Sequence, residues 1–193
     1  MESRDKQLLD APVYSPAARQ FHWITVGFLA VMIPLGLAMD YRGNHLNIWD
    51  GLTNGLYSTH KLLGFIVLWL VLARLIYRFR NGAPPDEPTL EWWQKAASHL
   101  THWGLYALLV FMPLTGWIGV QLYGATGIFD LFNLPSFVAK NQPASEFVFT
   151  LHKIGAGAII LLIGAHVGAA LFHYFIRKDG VLRRMLPGIG KRT

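Results

Sequence analysis

Four long apolar stretches constrain this chain more than any other feature of its sequence. They run from Trp23 to Met39, Leu62 to Phe79, Ala96 to Tyr123 and Ile154 to Ile176. A helix that crosses a bilayer needs about 20 mostly apolar residues, whereas membrane-spanning strands would show short alternating segments. Only 15% of the residues are charged, well below the roughly 25% of soluble domains. The sequence therefore predicts an all-α integral membrane four-helix bundle.

The predicted helices belong to a single transmembrane domain over residues 1–193. Their predicted ranges are 16–40, 56–80, 92–123 and 145–177. Pro34 and Pro113 lie inside two of the apolar stretches. In a bundle, neighbouring helices can satisfy the carbonyls that a proline frees, so we expect local kinks there and not breaks.

Two helix starts have local signals. Ser145 is the predicted N-cap of the fourth helix. Thr89, Glu91 and Trp92 predict a short surface helix in the loop before the third spanning helix. The loop over 124–147 is unusually apolar, and we expect it to lie on the bundle or at the membrane interface.

The basic residues predict the orientation of the bundle. Of 17 Lys and Arg residues, all but four fall at one end, and the four are Arg42, Lys61, Lys140 and Lys153. The positive-inside rule then places both termini in the cytoplasm. A nucleic-acid partner is the rival explanation of a net charge of +6, but no soluble basic domain is present to bind one. We expect the basic C-terminal tail to touch anionic lipid headgroups.

The histidines are the candidate ligands of a cofactor. His152 and His166 lie fourteen residues apart in the fourth apolar helix, so they share a face and are about 21 Å apart along the axis. His60 begins the second helix at the outer side, and His22 begins the first at the inner side. Matching by depth pairs His60 with His152 and His22 with His166. Each pair can hold a flat macrocycle by axial ligation, which predicts two b-type haems stacked across the membrane.

Other interpretations of these residues remain open. A zinc site would need ligands at one depth, whereas these divide into two levels. The sequence has no cysteine, which excludes thiolate iron–sulfur ligation and covalent c-type haem. Glycines of the fourth helix allow close approach of either a porphyrin or another helix. They are Gly155, Gly157, Gly164 and Gly168.

Cationic and polar residues flank the four histidines. Lys61 and Lys153 directly follow His60 and His152, and they either pair with haem propionates or anchor the helices at the interface. Arg19, three residues before His22, is the corresponding candidate at the inner haem. His173, His99 and His102 gather at the inner side. Imidazoles titrate near neutral pH, so we predict a quinone site there; solvated histidines at helix ends are the alternative.

The sequence resembles the bacterial cytochrome b561 family of inner-membrane di-haem proteins. The resemblance rests on FHW at 21–23, THKLLG at 59–64, HLTHWGLY at 99–106, LHKIGA at 151–156 and the segment 164–187. It implies that His22, His60, His152 and His166 are the axial haem ligands. It also implies a location in the bacterial inner membrane.

The same resemblance implies an activity. One member type is a superoxide oxidase, which passes electrons from superoxide to ubiquinone, and the segment from His166 to Pro187 looks like that enzyme. In such an enzyme Lys61 and Lys153 would steer the anion toward the outer haem. The outer loop 124–147 looks less similar, so a relay subunit that exchanges electrons between quinone and a periplasmic protein is the alternative. A cofactor-free transporter is a third class, but the apolar stretches carry no carboxylate.

Overall fold

The computed structural model describes residues 12–186, and four long helices make up most of them. They are α1 (Pro16–Asp40), α2 (Gly51–Asn81), α3 (Trp92–Tyr123) and α4 (Gln142–Phe172). All four are long and apolar enough to cross a membrane. The predicted four-helix membrane bundle is confirmed. Both α1 and α3 continue through their internal prolines, Pro34 and Pro113.

Two of the helices end in π-helical turns. Tyr41–His45 extends α1, and His173–Arg177 extends α4. Single π-helical turns are rare and occur frequently at functional sites. The second of them contains His173, which is one of the predicted residues of the quinone site.

The two ends of the described chain meet at one end of the bundle. The backbone N–H of Tyr14 donates to the carbonyl of Arg184 over 3.2 Å, and Arg184 Nε donates to the carbonyl of Pro12 over 3.1 Å. The indole of Trp23 donates to the carbonyl of Met185 over 3.2 Å. We call this end inner and the opposite end outer, following the predicted orientation. The basic residues Arg4, Lys6, Lys191 and Arg192, with the rest of the tail beyond Leu186, lie outside the described residues.

Helix α2 begins at Gly51 and not at the predicted residue 56, because Asp50 caps it. The carboxylate of Asp50 accepts hydrogen bonds from the Thr53 backbone N–H over 2.8 Å and from Arg42 over 2.7 Å. The Thr53 N–H first, and then Arg42, hold the pKa of Asp50 below its usual range. The Asp50 carboxylate therefore stays ionised, and able to accept both hydrogen bonds, at a lower pH than an ordinary aspartate would.

The predicted N-cap Ser145 is wrong, since α4 begins earlier, at Gln142. Asn141 caps it by accepting from the Ala144 N–H over 3.1 Å. Ser145 is buried in the second turn, where its hydroxyl donates to the carbonyl of Gly119 over 3.3 Å. A hydroxyl residue before an apolar run predicted an N-cap, but this hydroxyl instead forms a hydrogen bond between α4 and α3.

The predicted surface helix at Thr89 is also wrong. Glu91 and Gln94 form a reciprocal capping box, so α3 starts directly at Trp92. Thr89 instead donates its hydroxyl and its backbone N–H to Glu87, at 2.5 and 2.8 Å. These bonds close a turn before α3.

The buried core lies between α2, α3 and α4. Its buried members are Val67, Val71, Leu109 and Ile159. Large apolar side chains cover the outside of the helices, as lipid-facing surfaces require. Examples are Trp69, Phe79, Leu161 and Phe175.

A small hairpin closes the outer end between α3 and α4. Its strands are β1 (Gly127–Ile128) and β2 (Phe132–Asn133), which pair antiparallel. Ile128 is fully buried, whereas Leu131 at the tip is 81% exposed. Lys61 donates to the carbonyls of Ala125 and Gly127. The loop thus lies on the bundle, as its apolar composition predicted.

The α3–α4 contact predicts the sign of two glycine substitutions. A Cβ at Gly119 would lie 2.6 Å from the ring of Phe149, whereas a Cβ at Gly27 would meet nothing within 4 Å. At Gly119, overpacking costs about 1–3 kcal/mol, against about 1 kcal/mol gained from the helix propensity of alanine. We expect Gly119→Ala to lower the melting temperature in detergent and Gly27→Ala to raise it or leave it unchanged. Equal shifts in the two variants would contradict this packing.

Candidate functional site

The four depth-matched histidines form two pairs, one near each end of α4. At the outer level, the ring centroids of His60 on α2 and His152 on α4 are 6.2 Å apart. At the inner level, the centroids of His22 on α1 and His166 on α4 are 6.1 Å apart. The structure thus brings together the residues that the sequence paired by depth.

These separations fit a metal centre between the two rings of each pair. Imidazole–metal bonds are about 2 Å long, so two axial imidazoles on one haem iron have centroids about 6 Å apart. Direct stacking or a hydrogen bond between the rings would bring them closer. Among the described residues no cluster of three or more His, Cys, Asp or Glu forms a metal site.

Glycines make room for the outer pair. A Cβ at Gly36 on α1 would lie 3.0 Å from His60 Cε1, and a Cβ at Gly116 on α3 would lie 3.2 Å from His152 Cε1. Any larger side chain would therefore push an imidazole out of place. His60 Nδ1 is buried without a hydrogen-bond partner, whereas His152 Nδ1 lies 3.1 Å from Thr115 Oγ1. The close packing of each imidazole against a glycine and the separation of the two rings both fit a haem b bound by two histidines.

A third imidazole lies beside the inner pair. The ring of His102 on α3 has its centroid 5.1 Å from that of His166, nearly perpendicular to it. This separation is too short for a metal bound axially by both rings. His102 Nδ1 lies 2.6 Å from the Ser98 carbonyl, and a carbonyl only accepts. In the neutral imidazole, Nδ1 therefore carries the proton and Nε2 has the lone pair.

A cationic side chain completes the inner level. A guanidinium nitrogen of Arg74 on α2 is 3.4 Å from His22 Nδ1, and the group lies 5.1 Å from the centre of the Tyr106 ring. Charged groups within a membrane usually face the interior and mark function. Arg19 Nε is buried without a hydrogen-bond partner. Both arginines are suited to bind an acidic group such as a haem propionate.

A cavity of about 1100 Å³ joins the inner pair to the inner end of the bundle. Small-molecule sites usually enclose about 300–1,000 Å³, so this cavity has room for more than one such group. It is lined by His22 and His166, and by all three predicted quinone-site residues: His99, His102 and His173. Aromatic and aliphatic side chains from all four helices complete its walls.

His173 is held by a carboxylate that the sequence analysis did not identify. Its Nδ1 lies 2.5 Å from Asp179 Oδ2, and both side chains are buried. Lys178 has φ of 53°, in the left-handed region, and ends the π-helical turn. The chain therefore turns back and brings Asp179 to His173. The other predicted quinone residue, His99, is exposed and paired with Asp86 at 3.1 Å.

The two outer lysines are already engaged. Lys61 is half-buried against the hairpin carbonyls of Ala125 and Gly127. Lys153 forms an ion pair with Asp40 at 2.9 Å. Lys153 is largely exposed, so its ammonium group still faces solvent beside Asp40 at the outer face.

The glycines of α4 differ in what surrounds them. A Cβ at Gly155 would lie 2.5 Å from Met112 Sδ, so this glycine serves α3–α4 packing. Around Gly157, Gly164 and Gly168 a Cβ would meet nothing within 4 Å. Gly164 and Gly168 flank His166, where a flat group can approach the helix.

The sequence of this chain is similar to those of several known proteins. The family model described as prokaryotic cytochrome b561 matches residues 13–188. The chain belongs to the prokaryotic cytochrome b561 family. In Escherichia coli K12, cytochrome b561 homolog 1 is 34% identical over 178 residues, or 90% of this chain and 97% of that protein. Cytochrome b561 homolog 2 of the same organism is 28% identical over 174 residues, or 90% of each chain.

A further relative carries a more specific name. A Yersinia pestis protein named probable superoxide oxidase CybB is 27% identical over 128 residues, which cover 66% of this chain and 73% of that protein. Family membership and the four apolar helices make this chain a bacterial membrane protein of electron transport that binds haem b.

Three residues of the site were missed by the sequence analysis. Arg74 was counted only as a topology signal, although a charge within an apolar run is itself a functional signal. Asp179 lies in a turn, and its spacing of six residues from His173 matches no helical face. Thr115 has no sequence signal, because hydroxyl residues bond their own helix in most membrane spans.

The 5.1 Å separation predicts different effects of two histidine substitutions at the inner level. The pairing of His22 with His166 predicts an axial ligand at His22, so we expect His22→Ala to lose about one of the two predicted haems per chain. We expect His102→Ala to keep both haems, because His102 is too close to His166 to share a metal with it. Pyridine haemochrome quantitation and reduced-minus-oxidised spectra measure both. Equal haem loss in the two variants would contradict this assignment.

Proposed function

We propose that this protein is a superoxide:ubiquinone oxidoreductase of the bacterial inner membrane, with two b haems and both termini in the cytoplasm. The observation that carries the proposal is the pairing of four imidazoles at two levels of one helix, at 6.2 and 6.1 Å. The cavity beside the inner pair supports a quinone as the acceptor. The name of the Yersinia pestis relative supports superoxide as the donor.

His60 and His152 would hold the outer haem, and His22 and His166 the inner haem. Arg19 and Arg74 would bind the inner propionates. When bound, haem b supplies reversible one-electron chemistry at its iron. The chain's contribution is to fix both imidazole pairs, to exclude water and to set the charge around each level.

At the outer face, a small anion meets the positive ends of Lys61 and Lys153. Lys61 donates to two carbonyls, which leaves one of its three donors free. Lys153 remains exposed beside Asp40. Attraction by such charges raises encounter rates and weakens with salt. We therefore expect a salt-dependent rate with a modest slope.

At the inner face, ubiquinone takes two electrons and two protons to become ubiquinol, while two superoxide anions each lose one electron and become dioxygen. His173 would deliver the protons, since it lines the cavity and Asp179 engages only its Nδ1. His102 and His99 line the same cavity and would resupply protons from the inner side.

A relay function is the second candidate, and the hairpin favours it. Four aromatic or aliphatic side chains of the outer loop are exposed: Phe129, Leu131, Phe132 and Phe137. An exposed apolar patch can serve as a docking surface. The protein would then exchange electrons between the quinone pool and a periplasmic electron-transfer protein.

Superoxide consumption by the purified protein separates the two functions. The protein is reconstituted into liposomes with ubiquinone, and superoxide is generated outside. We expect superoxide-dependent ubiquinol formation that falls with ionic strength and is absent in His152→Ala. Haem-loaded protein that forms no ubiquinol from superoxide would refute the oxidase and leave the relay.

The His173–Asp179 pair predicts a defect confined to quinone reduction. We expect His173→Ala to slow ubiquinol formation about 100-fold, as loss of a general acid does, and Asp179→Asn to slow it less. Both variants should retain two haems, still reducible by superoxide. His45→Ala, at the exposed outer end, is the matched control. Unchanged quinone reduction in His173→Ala would exclude this site.

A further inference from the structure

Thr115 is a buried threonine on α3 whose hydroxyl has three polar neighbours. Its Oγ1 is 2.9 Å from the Phe111 carbonyl, 3.0 Å from the Met112 carbonyl and 3.1 Å from His152 Nδ1. It is 7% exposed, so water does not replace these contacts. The three distances together decide which group donates.

A hydroxyl has one proton and two lone pairs, whereas a carbonyl oxygen only accepts. If Thr115 donated to His152, both carbonyls would face its lone pairs at about hydrogen-bond distance without a proton between them. If it donates to a carbonyl, its lone pair accepts a proton from His152 Nδ1. The second arrangement satisfies the buried groups. His152 then carries its proton on Nδ1 and its lone pair on Nε2.

The neighbouring residue fixes the position of the same ring. A Cβ at Gly116 would lie 3.2 Å from His152 Cε1 and 3.5 Å from Nδ1, so the imidazole lies directly against α3. The opposite imidazole of the outer pair differs, because His60 Nδ1 is buried without a partner. Only one of the two outer imidazoles is therefore held by a side-chain hydroxyl in the described structure.

We propose that Thr115 is a positioning residue that fixes the Nδ1–H tautomer of His152 and so tunes the outer haem. This inference rests on the proposed ligation of haem by His152. Donation from Nδ1–H makes Nε2 a more basic ligand. A more basic ligand stabilises ferric over ferrous iron, so the bond lowers the midpoint potential of the outer haem relative to its value without Thr115.

The decisive variant is Thr115→Val, which keeps the shape of the side chain and removes the hydroxyl. We expect the midpoint potential of the outer haem to rise and that of the inner haem to stay unchanged. Loss of such a partner costs about 10- to 100-fold in metal affinity, so release of the outer haem to apomyoglobin should accelerate by a similar factor. A tenfold change in the ratio of ferric to ferrous affinity corresponds to about 59 mV for one electron.

Thr115→Ser and Thr25→Val are the matched variants. Serine keeps the hydroxyl and should restore the wild-type potential. Thr25 is a buried threonine on α1 that donates only to its own helix, to the Phe21 carbonyl over 2.6 Å. Its valine variant should leave the outer haem unchanged. If Thr115→Val does not fold, Thr115→Ala takes its place, and the inner haem reports whether the bundle is intact.

Redox titration and low-temperature electron paramagnetic resonance of each haem test the inference. The outer haem is assigned as the one lost in His152→Ala. Unchanged potential and g values in Thr115→Val, with two haems bound, would overturn the role of Thr115 while leaving the proposed function intact. The role of Thr115 is likewise overturned if Thr115→Ser behaves like Thr115→Val. Two haems retained in His152→Ala would instead refute the ligation itself.

Discussion

The pairing of two α4 imidazoles with one imidazole each from α1 and α2 is the interaction on which the rest of the site depends. It requires α4 to stay at a fixed distance from its neighbours along its whole length. Gly119 and Gly155 allow that, since Phe149 packs against the first and Met112 against the second. The α3–α4 contact thus supports both ring separations, although α3 supplies no member of either pair.

The sequence predicted the membrane fold and both imidazole pairs for a simple physical reason. Spanning length is set by the bilayer, and depth along a helix follows from residue number at about 1.5 Å per residue. Depth is therefore readable from sequence, whereas lateral position is not. For this reason the sequence placed His102 only at the quinone end and did not predict that it lies beside His166. It also did not identify Arg74 as part of the inner level.

Local signals were less reliable than length and depth. Ser145 looked like a cap but donates across to α3, and Asn141 caps α4 instead. Both are short polar residues near the same helix start, and propensity does not separate them. Asp179 reaches His173 only because a π-helical turn and the left-handed Lys178 redirect the chain. No periodic pattern in the sequence encodes such a turn.

The way Lys61 holds the outer hairpin has a consequence for how that loop can change. Its acceptors are the backbone carbonyls of Ala125 and Gly127, and every residue type offers the same carbonyl. Side chains of the hairpin are thus free to diverge while the clamp beside His60 persists. A family could vary its outer surface, and with it the molecules that approach, without rebuilding the helices beneath.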